Sequence, residues 1–264
     1  MRTNVVHYQM GAAPVIGVGF GVSKEDLDSE LSGPTAALIF DQRGVGEIRD
    51  LVAGVADTQF SKDNLDDLLG DDGEPEDWEV GEALAERYLT ENHGCMFPWP
   101  DGRDKRKRTS SLPGADLVGF KSDFAEHRFA FGEVKTSLQE SYPPSAVSGP
   151  HGLKKQMEDL RDKKQIRDDL VRYLGHRAHR ADWRVEFLSA TAKYLASSND
   201  IRLYGLLIRD VPPDPLDLRA RVTALDSGCP PSTQIRLCAL YFPQGSISEF
   251  ASKVVDSRSE GRAE

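Results

Sequence analysis

The chain has 264 residues, 39% of them hydrophobic and 29% charged, with a net charge of −10. No stretch approaches the roughly 18 consecutive apolar residues that span a bilayer, and residues 1–14 lack the basic-then-apolar order of a secretory signal. Cys95, Cys229 and Cys238 are scattered and odd in number, which points to a reducing cytoplasm and argues against a disulfide framework or a cysteine zinc site.

In chain order, residues 4–10, 14–20 and 36–41 read as strand-like runs between Gly- and Ser-rich turns. Gly17-Val18-Gly19-Phe20-Gly21 lacks both the spacing of a dinucleotide fingerprint and the lysine of a P-loop, so it carries no phosphate-loop reading. Residues 61–69 read as a short helix with Ser61 as N-cap. The acidic, turn-rich stretch 70–77 reads as a junction between a strand-rich, regulatory or partner-binding segment, 1–70, and a second unit, 71–264. A helix is expected over 78–92. At 100° per residue Trp78, Val80, Gly81, Leu84, Ala85, Tyr88 and Leu89 form one apolar arc. Glu82 falls at the margin of that arc, where a carboxylate either looks into a cleft or is an ordinary solvated residue. Glu79 and Glu86 lie further toward solvent. Residues 95–111 read as a loop carrying the basic run Arg103-Asp104-Lys105-Arg106-Lys107-Arg108.

Residues 116–120 and 128–135 read as two strands, with the polar stretch 121–127 turning the chain into a hairpin. Glu133 and Lys135 are two apart on the second strand, so both point to one face while Val134 points to the other. The hairpin brings Asp116 beside Glu133. Two acids and a lysine on one patch can hold a divalent cation and polarise a water, and oxygen ligands suit Mg²⁺ or Mn²⁺ better than zinc. A strand-end ion pair is the plain alternative for Glu133 and Lys135, and a turn residue for Asp116. Beyond them come a loop at 141–150, a long polar helix over 153–174 and a helix over 183–196. Strands are expected over 201–209 and 235–242, and a charged, frayed tail beyond 255. The order helix, strand, strand, helix, helix, strand predicts an α/β fold, a mixed sheet with helices on both faces.

Charge is unevenly placed. Residues 1–100 carry 6 Lys/Arg against 20 Asp/Glu, whereas residues 101–184 carry 18 against 13. A polyanion can bind in that locally basic setting despite the acidic total, because local phosphate contacts govern affinity. Lys105, Arg106, Lys107 and Arg108, with Lys154 and Lys155, are the candidate nucleic-acid contacts.

Taken together, Glu82, Asp116, Glu133 and Lys135, in this order, resemble the PD-(D/E)xK nuclease superfamily over roughly residues 78–160. Gly81-Glu82 resembles the Gly-Glu pair that opens the first core helix of endonuclease-like members. Asp116 takes the place of the first strand acid, and Glu133-Val134-Lys135 that of the (D/E)xK element. Gln156 resembles the glutamine of RecB-like members, although Leu160 stands where those carry a tyrosine. The resemblance implies a restriction-endonuclease-like core with N- and C-terminal extensions. It also implies Mg²⁺ (or Mn²⁺) held by Asp116, Glu133, the Val134 main-chain carbonyl and Glu82, with Lys135 acting on the water or the transition state and Gln156 close by. Phosphodiester hydrolysis, in DNA, is the expected activity. The extensions are similar to those of the nuclease subunit of Hachiman-type anti-phage systems, which implies a bacterial defence or restriction effector working with a helicase. A catalytically inactive nuclease fold used for DNA binding or assembly is the other reading.

Overall fold

Continuous apolar runs make the central strands of this protein, and helices with one apolar face cover them. The computed structural model describes residues 1, 5–70, 73–104, 114–124 and 126–261. In chain order these form β1 (Val5–Ala12), β2 (Val15–Gly21), α1 (Lys24–Leu31), α2 (Pro34–Ile39), α3 (Gln42–Val52), α4 (Gln59–Leu69) and α5 (Asp77–His93). Then come β3 (Cys95–Met96), β4 (Leu117–Asp123), β5 (Glu126–Ser137), α6 (Ser145–Ser148), α7 (Leu153–Asp162), α8 (Lys164–Ala178) and α9 (Arg184–Ala196). The chain closes with β6 (Arg202–Arg209), α10 (Leu216–Asp226), β7 (Gln234–Tyr241) and α11 (Phe250–Gly261).

The strands form one seven-stranded mixed sheet in the order β1-β2-β7-β6-β5-β4-β3. The pairs β2–β7, β7–β6 and β6–β5 are parallel, and the hairpins at both edges are antiparallel. All eight residues of β6 are buried, as expected of a central parallel strand covered on both faces. Phe120, Phe129, Phe131, Leu207 and Leu237 pack on one face with Met157 of α7, Leu174 of α8, Tyr194 of α9 and Val222 of α10. Leu117, Ala130, Val134, Ile208 and Leu240 pack on the other with Leu27 of α1, Leu84 of α5 and Phe250 of α11. The expected α/β architecture is present, and two strands from residues 1–70 belong to this same sheet. No helix among the described residues is long and apolar enough to cross a membrane.

Several local expectations give way to other forces. Residues 36–41 are not a strand: Pro34 stands at the first helical position, where its fixed φ suits a helix start, and α2 follows. Helix α4 begins at Gln59, not Ser61. Thr58 is its N-cap and Ser61 is the N3 partner of a reciprocal capping box, with N–H to hydroxyl distances of 3.0 and 3.1 Å. The expected helix over 153–174 breaks at Lys163, which has extended backbone geometry (ψ 90). Arg167, 2% exposed, donates from Nη1 to the Leu160 and Arg161 carbonyls at 2.7 and 2.5 Å, filling acceptors that the break leaves open. Helix α11 runs past 255, anchored by Phe250 and Val254 and by Lys253, which pairs with Asp28 at 2.7 Å.

Two features position the site. Strand β5 outruns its hairpin partner: Leu117 is opposite Gly132, yet β5 continues beside β6 as far as Ser137, opposite Arg209. Helix α5 lies close on this overhang because Gly81 faces Thr136, and a methyl group at Gly81 would collide with the Thr136 hydroxyl. Gly81→Ala is therefore expected to destabilise the fold by about 1–3 kcal/mol in urea unfolding. Adding Thr136→Ala should restore part of that loss, because the clash is between those two side chains.

Candidate functional site

The overhang of β5 lies at the carboxyl ends of the parallel strands, the usual place for ligands in open α/β sheets. Beyond Gly132 the β4 side of β5 has no strand to pair with. Asp116, the residue just before β4, fills the gap: its Oδ2 accepts the Val134 N–H at 2.7 Å. In an extended strand a residue's N–H and C=O leave on the same side, so the Val134 carbonyl is directed to the side where Asp116 stands. Glu133 and Lys135 emerge on the face of Phe129 and Phe131, by alternation along the strand. Lys135 Nζ stands 3.4 Å from Glu133 Oε2 and 3.7 Å from Asp116 Oδ2, between the two acids.

The three groups differ in burial, and that sets the electrostatics. Glu133 is 1% exposed, whereas the side chains of Asp116 and Lys135 are 23% and 21% exposed. Burial pushes the Glu133 carboxyl well above the usual range, and the neighbouring Asp116 charge adds to this; Lys135 opposes both. Glu133 Oε1 is buried without a hydrogen-bond partner. An orphaned carboxylate oxygen, the Asp116 carboxylate and the Val134 carbonyl form a donor set of hard oxygens. It suits Mg²⁺, which takes one or two carboxylates and keeps several waters. Among the described residues no group of three His, Cys, Asp or Glu side chains could hold a metal ion. Two carboxylates and a main-chain oxygen are the oxygen donors the described residues bring to this point.

The other expected site residues fall around this centre. Glu82 shares a cleft of about 760 Å³ with Asp116, but the two do not join Glu133 in one metal-binding cluster. Glu79 and Glu86, expected toward solvent, line the same cleft, with Arg103 and Trp99 also on its wall. Gln156, on α7, has a buried Oε1 without a hydrogen-bond partner and lines a second cavity. Lys154 and Lys155 each carry a partner one helical turn on, Glu158 at 2.6 Å and Asp159 at 2.5 Å. Lys105, Arg106, Lys107 and Arg108 lie outside the described residues.

Two further arrangements near the site join residues far apart in the chain. The first two residues of the basic run are structural. Arg103 donates from Nε and Nη2 to the Asp41 carboxylate at 2.7 and 2.9 Å. Asp104 accepts from Trp99 Nε1 (2.9 Å), Tyr173 OH (2.6 Å) and Arg177 Nη2 (2.6 Å). An acid inside a run of bases was the only signal for this. The second is a buried ion pair, Arg209 with Asp217 at 3.4 Å, both fully buried. Arg209 donates to the Ser137 and Ser141 carbonyls at 3.3 and 3.1 Å, tying the segment that follows β5 to the end of β6. Tyr241 OH donates to Asp217 Oδ2 at 2.8 Å. An arginine at each end of the apolar run of β6 was the clue in the sequence.

No protein-family model and no curated protein matches this chain.

Proposed function

We propose that this chain is a metal-dependent nuclease that hydrolyses phosphodiester bonds, with DNA as its substrate. The observation that carries the reading is the meeting of Asp116, Glu133 and Lys135 at the overhang of β5, with Asp116 bound to the Val134 peptide. The element order supports a restriction-endonuclease-like core: α5, the β4–β5 hairpin, α7, then β6 parallel to β5. Asp116, Glu133 and the Val134 carbonyl would hold Mg²⁺, with Glu82 facing the same cleft. Mg²⁺ bound there supplies charge relief on the phosphate and acidifies a water. Asp116 acts twice, as a ligand and as the acceptor that sets the Val134 peptide. Lys135, poised between the acids, orients the attacking water or neutralises charge that develops on the phosphate. The wider reading, a bacterial anti-phage or restriction effector acting with a helicase, rests on the similarity to Hachiman-type nuclease subunits.

One observation favours a second reading. A carboxyl as buried as Glu133, with its pKa raised, stays protonated near neutrality unless a cation displaces the proton. A fold that never bound metal would keep it so and would serve as an inactive DNA-binding or assembly module. Plasmid nicking in Mg²⁺ and in chelator, paired with Mn²⁺ titration by calorimetry, separates the two. The nuclease reading expects Mg²⁺-dependent nicking and one Mn²⁺ site, both lost in Asp116→Asn. DNA binding without Mn²⁺ uptake or nicking would decide for the inactive module.

A further inference from the structure

Gly114 and Ala115, the two residues before Asp116, form one wall of a cavity of about 390 Å³ between β4, α7 and α8. Its size lies within the roughly 300–1,000 Å³ of small-ligand sites. Val118, Leu160, Ile166 and Leu170 make it largely aliphatic. Gln156 supplies an amide whose Oε1 is buried and unpaired. Gly114 has φ of 125, where a side chain is strained, and a Cβ there would lie 2.8 Å from Leu170 Cδ2. Glycine therefore keeps this wall thin.

We propose that the cavity receives one nucleobase of the substrate, turned out of its stack beside the phosphate to be cut. The inference rests on the nuclease reading and adds to it a base-binding subsite. A phosphate held at Asp116 is one sugar away from its own base, and Ala115 places the cavity next to that position. The lining selects a flat, neutral, largely apolar group. Asp159 and Asp169 also line it, but each is paired with a cation, Asp159 with Lys155 and Lys163 and Asp169 with Arg172, so the lining carries little net charge. The Gln156 amide offers an acceptor and donors to the base edge, the chemistry by which Gln reads adenine. Unstacking a base costs a few kcal/mol and least in a single strand, so single-stranded or locally opened substrate is favoured.

The test uses the full chain with single-stranded oligonucleotides in Ca²⁺, with fluorescence anisotropy of an end label reporting binding. An abasic residue and a 2-aminopurine are each moved along the strand. At one position the abasic residue should weaken binding by about tenfold, the scale of one base contact, and 2-aminopurine there should brighten as it leaves the stack. Ile166→Phe, which fills the cavity from its half-exposed rim, should abolish both the brightening and the abasic penalty at that position. Gln156→Leu, which preserves shape, should leave the brightening and reduce discrimination between 2-aminopurine and a pyrimidine. Thermal melts matched to wild type exclude misfolding as the cause. DNA binding with no position-dependent signal, or with signals that Ile166→Phe does not change, overturns the base subsite alone. Failure to bind DNA at all overturns the nuclease reading and this inference together.

Discussion

Lys135→Ala is expected to lower Mg²⁺-dependent cleavage by at least 10²–10³-fold, the scale for removing one group that stabilises transition-state charge. Metal binding should survive. Nζ lies within 4 Å of both carboxylates, so its ammonium competes with a cation for the same oxygens. Its removal should leave Mn²⁺ affinity equal or tighter. Glu133→Ala should behave in the opposite way, losing metal and cleavage together, since it removes the buried oxygen that has no other partner. Calorimetry and single-turnover cleavage on both variants distinguish the roles, with circular dichroism to show that each is folded. Undiminished cleavage by both variants would sink the site assignment.

The second large effect is an exchange of a proton for a metal ion at Glu133. Burial, and then the Asp116 carboxylate, raise its pKa from 4.5 to about 9. Between those values the folded protein holds a proton that the unfolded chain has released. The stability contributed by this group is therefore full below about pH 4.5 and is lost as pH rises through about 9. The loss reaches about 1.4 kcal/mol per pH unit within that window. In chelator, urea unfolding at several pH values should show this downward slope in wild type relative to Glu133→Gln, which has no proton to lose. Saturating Mg²⁺ should flatten the slope, because the cation stabilises the ionised carboxylate. Binding near pH 7 should release close to one proton, visible as a dependence of the calorimetric heat on buffer ionisation enthalpy. A heat independent of buffer would mean that Glu133 is already ionised before the cation arrives.

Helix α5 and strand β5 could be read directly because their signals are local. Val80, Leu84, Ala85, Tyr88 and Leu89 repeat at helical spacing, and all are buried on one face of the sheet. Phe129 and Phe131 alternate with Ala130 along β5, so the common face of Glu133 and Lys135 followed from strand periodicity. The hairpin that brings Asp116 to Glu133 was legible, but not its extent: residues 121–123 and 126–127, expected in the turn, pair as strand, because cross-strand pairing continues through polar residues. The break at Lys163 was not legible, since neither Pro nor Gly marks it. It depends on Arg167, whose guanidinium reaches back to the Leu160 and Arg161 carbonyls. The cleft over α5 was not legible for a similar reason: Glu79, Glu82 and Glu86 all line it, but its far wall is built by α2 and α3.

Local pattern along the chain is enough for an α/β fold, a strand that presents a glutamate and a lysine side by side, and an aspartate one hairpin away. Periodicity and turn length are properties of neighbouring residues and need no knowledge of the rest of the chain. That β5 outruns β4, that Asp116 takes the Val134 N–H left open there, and that Glu133 is sealed from water emerge only when the chain is packed. Strand ends, burial and the pKa shift that follows from burial depend on which distant groups pack around a residue and exclude solvent from it. No local pattern in the chain encodes that.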